Sequence, residues 1–119
     1  MRNFRKLEVW QESIELVKMV YSVTKNEQLK TDYGLTSQLQ RSAVSIPSNI
    51  AEGASRDSSI EFSRFLQIAL GSSFELETQL IISHEIRGIE TNEFNSILLK
   101  LHVLQKRINV LNQRVKTKS

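Results

Sequence analysis

Apolar side chains recur along this chain at intervals of three and four, the spacing that gathers them on one face of an α-helix. Four segments carry the pattern and predict helices over about 7–25, 36–53, 58–87 and 91–115. In the first, Leu7, Trp10, Ile14, Val17 and Tyr21 form one stripe, and Val9, Leu16, Val20 and Val23 form a second beside it. Two adjoining stripes fit either a deeply buried helix or a helix that adds a contact for another subunit. Glu8, Glu12 and Glu15 precede Lys18 and Lys25, the polarity that the helix dipole favours.

A polar connection, Asn26 to Gly34, leads to the second segment, where Thr36 is the expected N-cap and Leu39, Ala43, Ile46 and Ile50 point inward. Pro47 interrupts it. A proline there removes the backbone bond to Ala43 and disfavours α geometry at Ile46, so a kink or break is expected. Ser42, Ser45 and Ser48 are placed to bond the freed carbonyls, and Gly53 reads as the residue that ends the helix.

The third segment restarts at Ser58 or Ser59, with Glu61 positioned to complete a capping box with Ser58. Phe62, Leu66, Ala69, Ser73, Leu76 and Leu80 keep +4/+3 spacing, and the small residues Gly71, Ser72 and Ser73 suit a close approach to a neighbouring helix. Arg87 and Gly88 close it. Thr91 is the expected cap of the fourth segment, where Ile97, Leu101, Leu104, Ile108, Leu111 and Val115 make an unbroken seam. Short connections imply antiparallel neighbours. The expectation is an all-α chain forming one antiparallel up-down four-helix bundle across residues 1–119, with a proline inside its second helix.

Composition narrows the function. A chain of 119 residues is one domain's worth, and four glycines with one proline are too few for an all-β fold. Without cysteine there is no disulfide, thiolate metal site or thiol nucleophile. The charged start MRNFRKLEVWQ does not resemble a signal peptide, and no apolar run approaches the ~20 residues of a membrane span, so a cytoplasmic protein is expected. His84 and His102 lie on different segments and lack the Glu-x-x-His spacing of di-iron bundles. No nucleophile elbow, Walker loop or dinucleotide fingerprint occurs. Neither an enzyme, nor a metal, nor a cofactor is expected.

Charge points elsewhere. Sixteen Lys and Arg against thirteen Asp and Glu give +3, a modest excess. Arg107, Arg114, Lys116 and Lys118 nevertheless fall in the last thirteen positions, where no acid is present. On the fourth helix Lys100, Val103, Arg107, Val110 and Arg114 form a stripe outside the seam, fit either to follow a phosphate backbone or to be a solvated face whose valines fill the core's edge. On the second, Gln38, Arg41, Ser45, Ser48 and Glu52 run down one line. Arg41 and Glu52 lie about three turns apart and need other partners, which a subunit interface would supply.

The run from Gln38 to Gly53, QLQRSAVSIPSNIAEG, resembles the signature of bacterial four-helix-bundle proteins encoded in intervening sequences of large-subunit ribosomal RNA genes. The opening Phe4-Arg5-Lys6-Leu7 with Val9-Trp10 is similar to that family's start, and Glu61-Phe62-x-Arg64-Phe65-Leu66 through Glu75-Leu76-Glu77-x-Gln79-Leu80 to its third helix. The resemblance implies an antiparallel bundle assembled as a ring-shaped homopentamer. It also extends to the accessory variability determinant of diversity-generating retroelements, a basic pentamer that binds nucleic acid and a reverse transcriptase. This chain is much less basic, although five copies would sum to roughly +15. Two functions follow as expectations: an RNA- or DNA-associated oligomer whose phosphate contacts are Arg41, Arg64, Lys100, Arg107 and Arg114, or a scaffold that docks a partner protein without nucleic acid. Gln38, Arg41, Ser45, Pro47, Asn49, Glu52 and Gly53 are the expected motif residues at a subunit interface.

Overall fold

A carboxylate, not a threonine, opens the second helix, and such local choices fix where each rod begins. The computed structural model describes residues 2–118, and among these every regular element is helical. A single 3-10 turn, Phe4–Lys6, precedes α1 (Glu8–Val23), α2 (Tyr33–Ala54), α3 (Ser59–Ile82) and α4 (Thr91–Thr117). The Asp32 side chain accepts from the Leu35 N–H at 3.1 Å and starts α2 three residues before the expected cap. Thr36 instead donates its hydroxyl to the Leu29 carbonyl at 3.0 Å, tying the connection to the helix. That connection is less polar than it reads, because Leu29 is fully buried.

α2 runs through Pro47 without a break. Pro47 is buried, and neighbouring polar groups hold the adjacent carbonyls: Ser48 Oγ donates to Val44 at 2.8 Å and Asn49 Nδ2 donates to Ser45 at 2.8 Å. The serines therefore do not take up the Ala43 carbonyl that the proline leaves. Gly53 does not end α2 either. It lies inside the helix, where a Cβ would sit 2.6 Å from Phe65 Cβ, so its role is to let α2 and α3 approach.

Ser58 caps α3 through the Glu61 N–H at 3.1 Å, but the Glu61 carboxylate turns to Arg64 at 3.0 Å and leaves the box half-formed. α3 continues into a π-helical turn, Ser83–Arg87, and stops at Gly88, whose φ of 66° is the left-handed conformation that glycine adopts freely. Glu90, not Thr91, caps α4 by accepting from the Glu93 N–H at 3.0 Å.

The helices alternate in direction: Gln40 meets Thr24 across α1 and α2, Ser45 meets Ser72 across α2 and α3, and Ser63 meets Asn112 across α3 and α4. α1 packs on α2 and α4, and α3 packs on the same two helices, so α1 and α3 stand diagonally. The result is an antiparallel four-helix bundle of 47 × 21 × 20 Å. The α3 seam is buried throughout. On α1 the Val9, Leu16, Val20 and Val23 stripe fills the core, while Trp10, Ile14 and Val17 are half-buried and Tyr21 is exposed. On α4 the seam shifts near its end: Leu111 is half-buried and Asn112 takes a core position, accepting from Ser63 Oγ at 2.6 Å. Ser72 meets Ser45 at the α2 and α3 contact and Ser73 is buried, whereas Gly71 faces open space.

Candidate nucleic-acid interface

Up-down connectivity sorts charge that looks scattered along the sequence. Residues 2–15, 44–70 and 104–118 share one half of the bundle, and they hold ten Lys or Arg against six Asp or Glu. The other half holds six Lys or Arg against seven Asp or Glu. The modest +3 of the chain is thus +4 at one end and −1 at the other.

At the basic end the start of α1 lies beside the last turns of α4, and a groove of about 540 Å³ runs between them. Lys6 comes from one wall, and Lys106, Arg107 and Arg114 come from the other. Its floor includes the side chains of Leu7, Val9 and Leu111. Arg107 is not free there. Its Nη1 donates to Glu12 Oε1 at 2.7 Å and lies 3.9 Å from Glu8 Oε2. The bond from Glu12, then its charge, raises the guanidinium pKa further, so Arg107 stays protonated at any working pH.

A second cationic edge lies on α3 and α4, where Arg64 and Lys116 line a shallow groove with Ser63 and Gln67. Arg64 and Arg56 sit over the Phe65 ring at 4.8 and 5.0 Å, and Arg2 sits 4.5 Å over Phe62. The Arg2 contact holds the N-terminal segment against α3 and the turn that precedes it, where Arg2 Nη1 also donates to the Arg56 carbonyl at 2.8 Å. Arg56 pairs with Glu52 at 3.0 Å, which gives Glu52 the partner that its position required.

The five sequence-predicted cations therefore do not form one surface. Arg107 and Arg114 share the groove, and Arg64 lies on the neighbouring edge. Lys100 is in the other half, about 10 Å from Arg107 along the helix axis. Arg41 is on α2, diagonal to α4, beside Gln38, Ser45, Glu75 and Gln79, and it forms no ion pair among the described residues. Val103 and Val110 are exposed, so they do not fill the core's edge. Sequence reasoning missed Lys6 and Lys106. The Arg5-Lys6 pair was visible, but only the antiparallel pairing of α1 with α4 brings Lys6 to the others.

The motif residues divide. Ser45 bonds Ser72 at 2.7 Å and Asn49 at 3.0 Å, Pro47 packs toward Trp10 and Ile14, and Gly53 packs on Phe62 and Phe65. Gln38 and Arg41 keep exposed polar groups.

His102 pairs with Glu77 at 3.1 Å, and the Glu77 carboxyl is held below its usual range by the Gln105 amide and then by His102. His84 stacks on Phe94 with ring centres 4.3 Å apart. Among the described residues no group of three or more His, Cys, Asp or Glu could hold a metal, and no helix is long and apolar enough to cross a membrane.

The profile of the 23S rRNA-intervening sequence protein family matches residues 5–110. A crystal structure from Bacteroides thetaiotaomicron VPI-5482, described as a protein of unknown function from the S23 ribosomal protein family, is similar with a TM-score of 0.80 and 25% identity. The match covers 87% of this chain and 97% of that one. No curated protein matches the chain.

Proposed function

The chain belongs to the 23S rRNA-intervening sequence protein family, and from that premise we propose that it is a non-enzymatic, cytoplasmic oligomer that binds nucleic acid, RNA foremost, at its basic end. The observation that carries this reading is the groove where Lys6, Lys106, Arg107 and Arg114 converge. Arg107 and Arg114 are seven residues apart, about 10 Å, or three steps of a nucleic-acid strand at about 3.4 Å each. Cations at that spacing can contact every third phosphate of one strand, so affinity comes from the backbone.

Assembly multiplies the effect. α3 carries apolar residues outside its core face as well as on it: Phe74 is 52% exposed, and Ile68, Ile81 and Ile82 are exposed as well. On α1 and α2, Trp10, Ile14, Val17 and Val44 line an open apolar groove. A helix apolar on both faces is suited to burial on both. Because the two surfaces differ, pairing one with the other is heterologous, the type of contact that forms a ring where the rotation between copies closes. A homopentamer is the ring that the family resemblance suggests, and five basic ends would then face a ligand together.

The test is titration of a labelled, structured RNA with the full chain across a salt series. Log affinity should fall linearly with log salt, and substituting Lys6, Lys106 and Arg114 with Gln should remove most of the binding. Binding that ignores salt, or that survives those substitutions, refutes this reading. The same exposed apolar surfaces also favour a second one, a scaffold that docks a partner protein. A protein that co-purifies undiminished after nuclease treatment would support that alternative.

A further inference from the structure

Arg107 lines the cationic groove, yet among the described residues it is the one groove cation in an ion pair, with Glu12 at 2.7 Å and Glu8 at 3.9 Å. Neither acid is needed to hold α1 on α4: Val9, Leu16, Val20, Leu101, Leu104 and Ile108 do that in the core. Glu8 and Glu12 lie one turn apart at the start of α1, and Glu8 lines the groove. Their carboxylates occupy a guanidinium as a phosphate would, since both anions accept the same forked N–H donors.

We propose that Glu8 and Glu12 act as an internal competitor for phosphate, masking Arg107 so that only a polyanion engages the groove fully. This rests on the nucleic-acid reading of the groove and adds a selectivity element to it. A lone phosphate meets Lys6, Lys106 and Arg114 but must displace a tethered carboxylate to reach Arg107. A backbone that places successive phosphates in the groove is already held by the three open cations when it competes for the fourth.

The consequences are measurable with the full chain, a fluorescent RNA duplex of about 20 base pairs and salt from about 50 to 200 mM. Glu8→Gln/Glu12→Gln should bind more tightly than the unaltered protein by up to about fivefold, the range expected for releasing an exposed ion pair. The slope of log affinity against log salt should change little, because the same four cations meet phosphate in both proteins. Two controls separate a local mask from a general gain in charge. Glu27→Gln/Glu85→Gln makes the same change in net charge at the opposite end and should leave affinity nearly unchanged. Adding Arg107→Gln to Glu8→Gln/Glu12→Gln should abolish the gain, because there is no guanidinium left to release.

A gain that persists without Arg107, or that Glu27→Gln/Glu85→Gln reproduces, overturns the mask and leaves only a long-range charge effect. No gain, while Lys6→Gln/Lys106→Gln/Arg114→Gln still loses binding, overturns the mask and leaves the groove intact as the site. Absence of salt-sensitive binding in every variant overturns the nucleic-acid reading and the mask with it.

Discussion

Two glycines on neighbouring helices should respond to the same substitution with opposite signs. At Gly53 an alanine Cβ would lie 2.6 Å from Phe65 Cβ, 3.0 Å from Phe62 Cδ1 and 3.3 Å from the Phe62 carbonyl oxygen. Carbon atoms pack at about 3.5–4.0 Å, so α2 and α3 must separate by about 1 Å at that level. The Phe62 ring can turn away. The Phe65 Cβ and the Phe62 carbonyl cannot, because they are fixed to the α3 backbone. Replacing a glycine inside a helix by alanine otherwise contributes about 1 kcal/mol of propensity. Overpacking a tight contact costs about 1–3 kcal/mol, and a backbone neighbour puts Gly53 near the top of that range. Gly53→Ala should therefore lose about 1–2 kcal/mol net, or about 4 °C of Tm per kcal/mol. At Gly71 a Cβ meets nothing within 4 Å, so Gly71→Ala keeps the propensity gain, about 0.5–1 kcal/mol. Urea unfolding followed by far-ultraviolet circular dichroism, at one protomer concentration because self-association raises apparent stability, measures both. If Gly53→Ala is as stable as the unaltered chain, or if both variants shift the same way, the close-approach account of Gly53 is wrong.

Asn112→Ala should cost about 1–3 kcal/mol, because it leaves the buried Ser63 hydroxyl without the acceptor it meets at 2.6 Å. Ser63→Ala/Asn112→Ala should cost less than the two single losses combined, and an additive double-mutant cycle would contradict a coupled pair. Asp32 sits below its ordinary pKa of 3.8, chiefly through the Leu35 N–H and then through Arg87 at 2.8 Å. A carboxyl depressed in the folded state stabilises the fold above its ordinary pKa and loses that contribution as pH falls through the lowered value. The stability gap between the unaltered chain and Asp32→Ala should thus be constant near neutrality and narrow below pH 3.8; a gap that widens on acidification reverses the sign and refutes it. Phe74→Arg should shift the mass measured by light scattering toward one protomer without altering the helical signal, since the side chain is half exposed within the bundle. An assembly that persists would remove the outward face of α3 from the subunit contact.

Helix number, order and most of the core were legible because +3/+4 periodicity is a local property, and the α3 seam from Phe62 to Leu80 needed no tertiary information. The errors arose where a distant partner decided. Asp32 and Thr36 are both good capping residues, and what favours Asp32 includes Arg87, 55 positions away. Gly53 looked like a helix end because its true constraint, the α3 backbone opposite, is not in its neighbourhood. Leu111 and Asn112 exchanged expected places because Ser63 offered Asn112 a buried hydrogen bond. The site followed the same rule. Arg107 and Arg114 were visible as one face of one helix, whereas Glu12, which holds Arg107, is 95 positions away. Lys100 and Arg41 share the chemistry of the groove residues but not their end of the bundle.

The uneven sharing of charge between the two halves has a kinetic consequence. Their centres are about 23 Å apart, half of the 47 Å length. Screening at physiological salt acts over about 8 Å, so an approaching polyanion senses each end separately and not the sum of +3. On the proposed nucleic-acid role, a tumbling molecule is turned basic end first before any side chain touches, and the opposite end is turned away. The molecule is thus aimed during the encounter, and added salt should slow arrival more than it hastens departure.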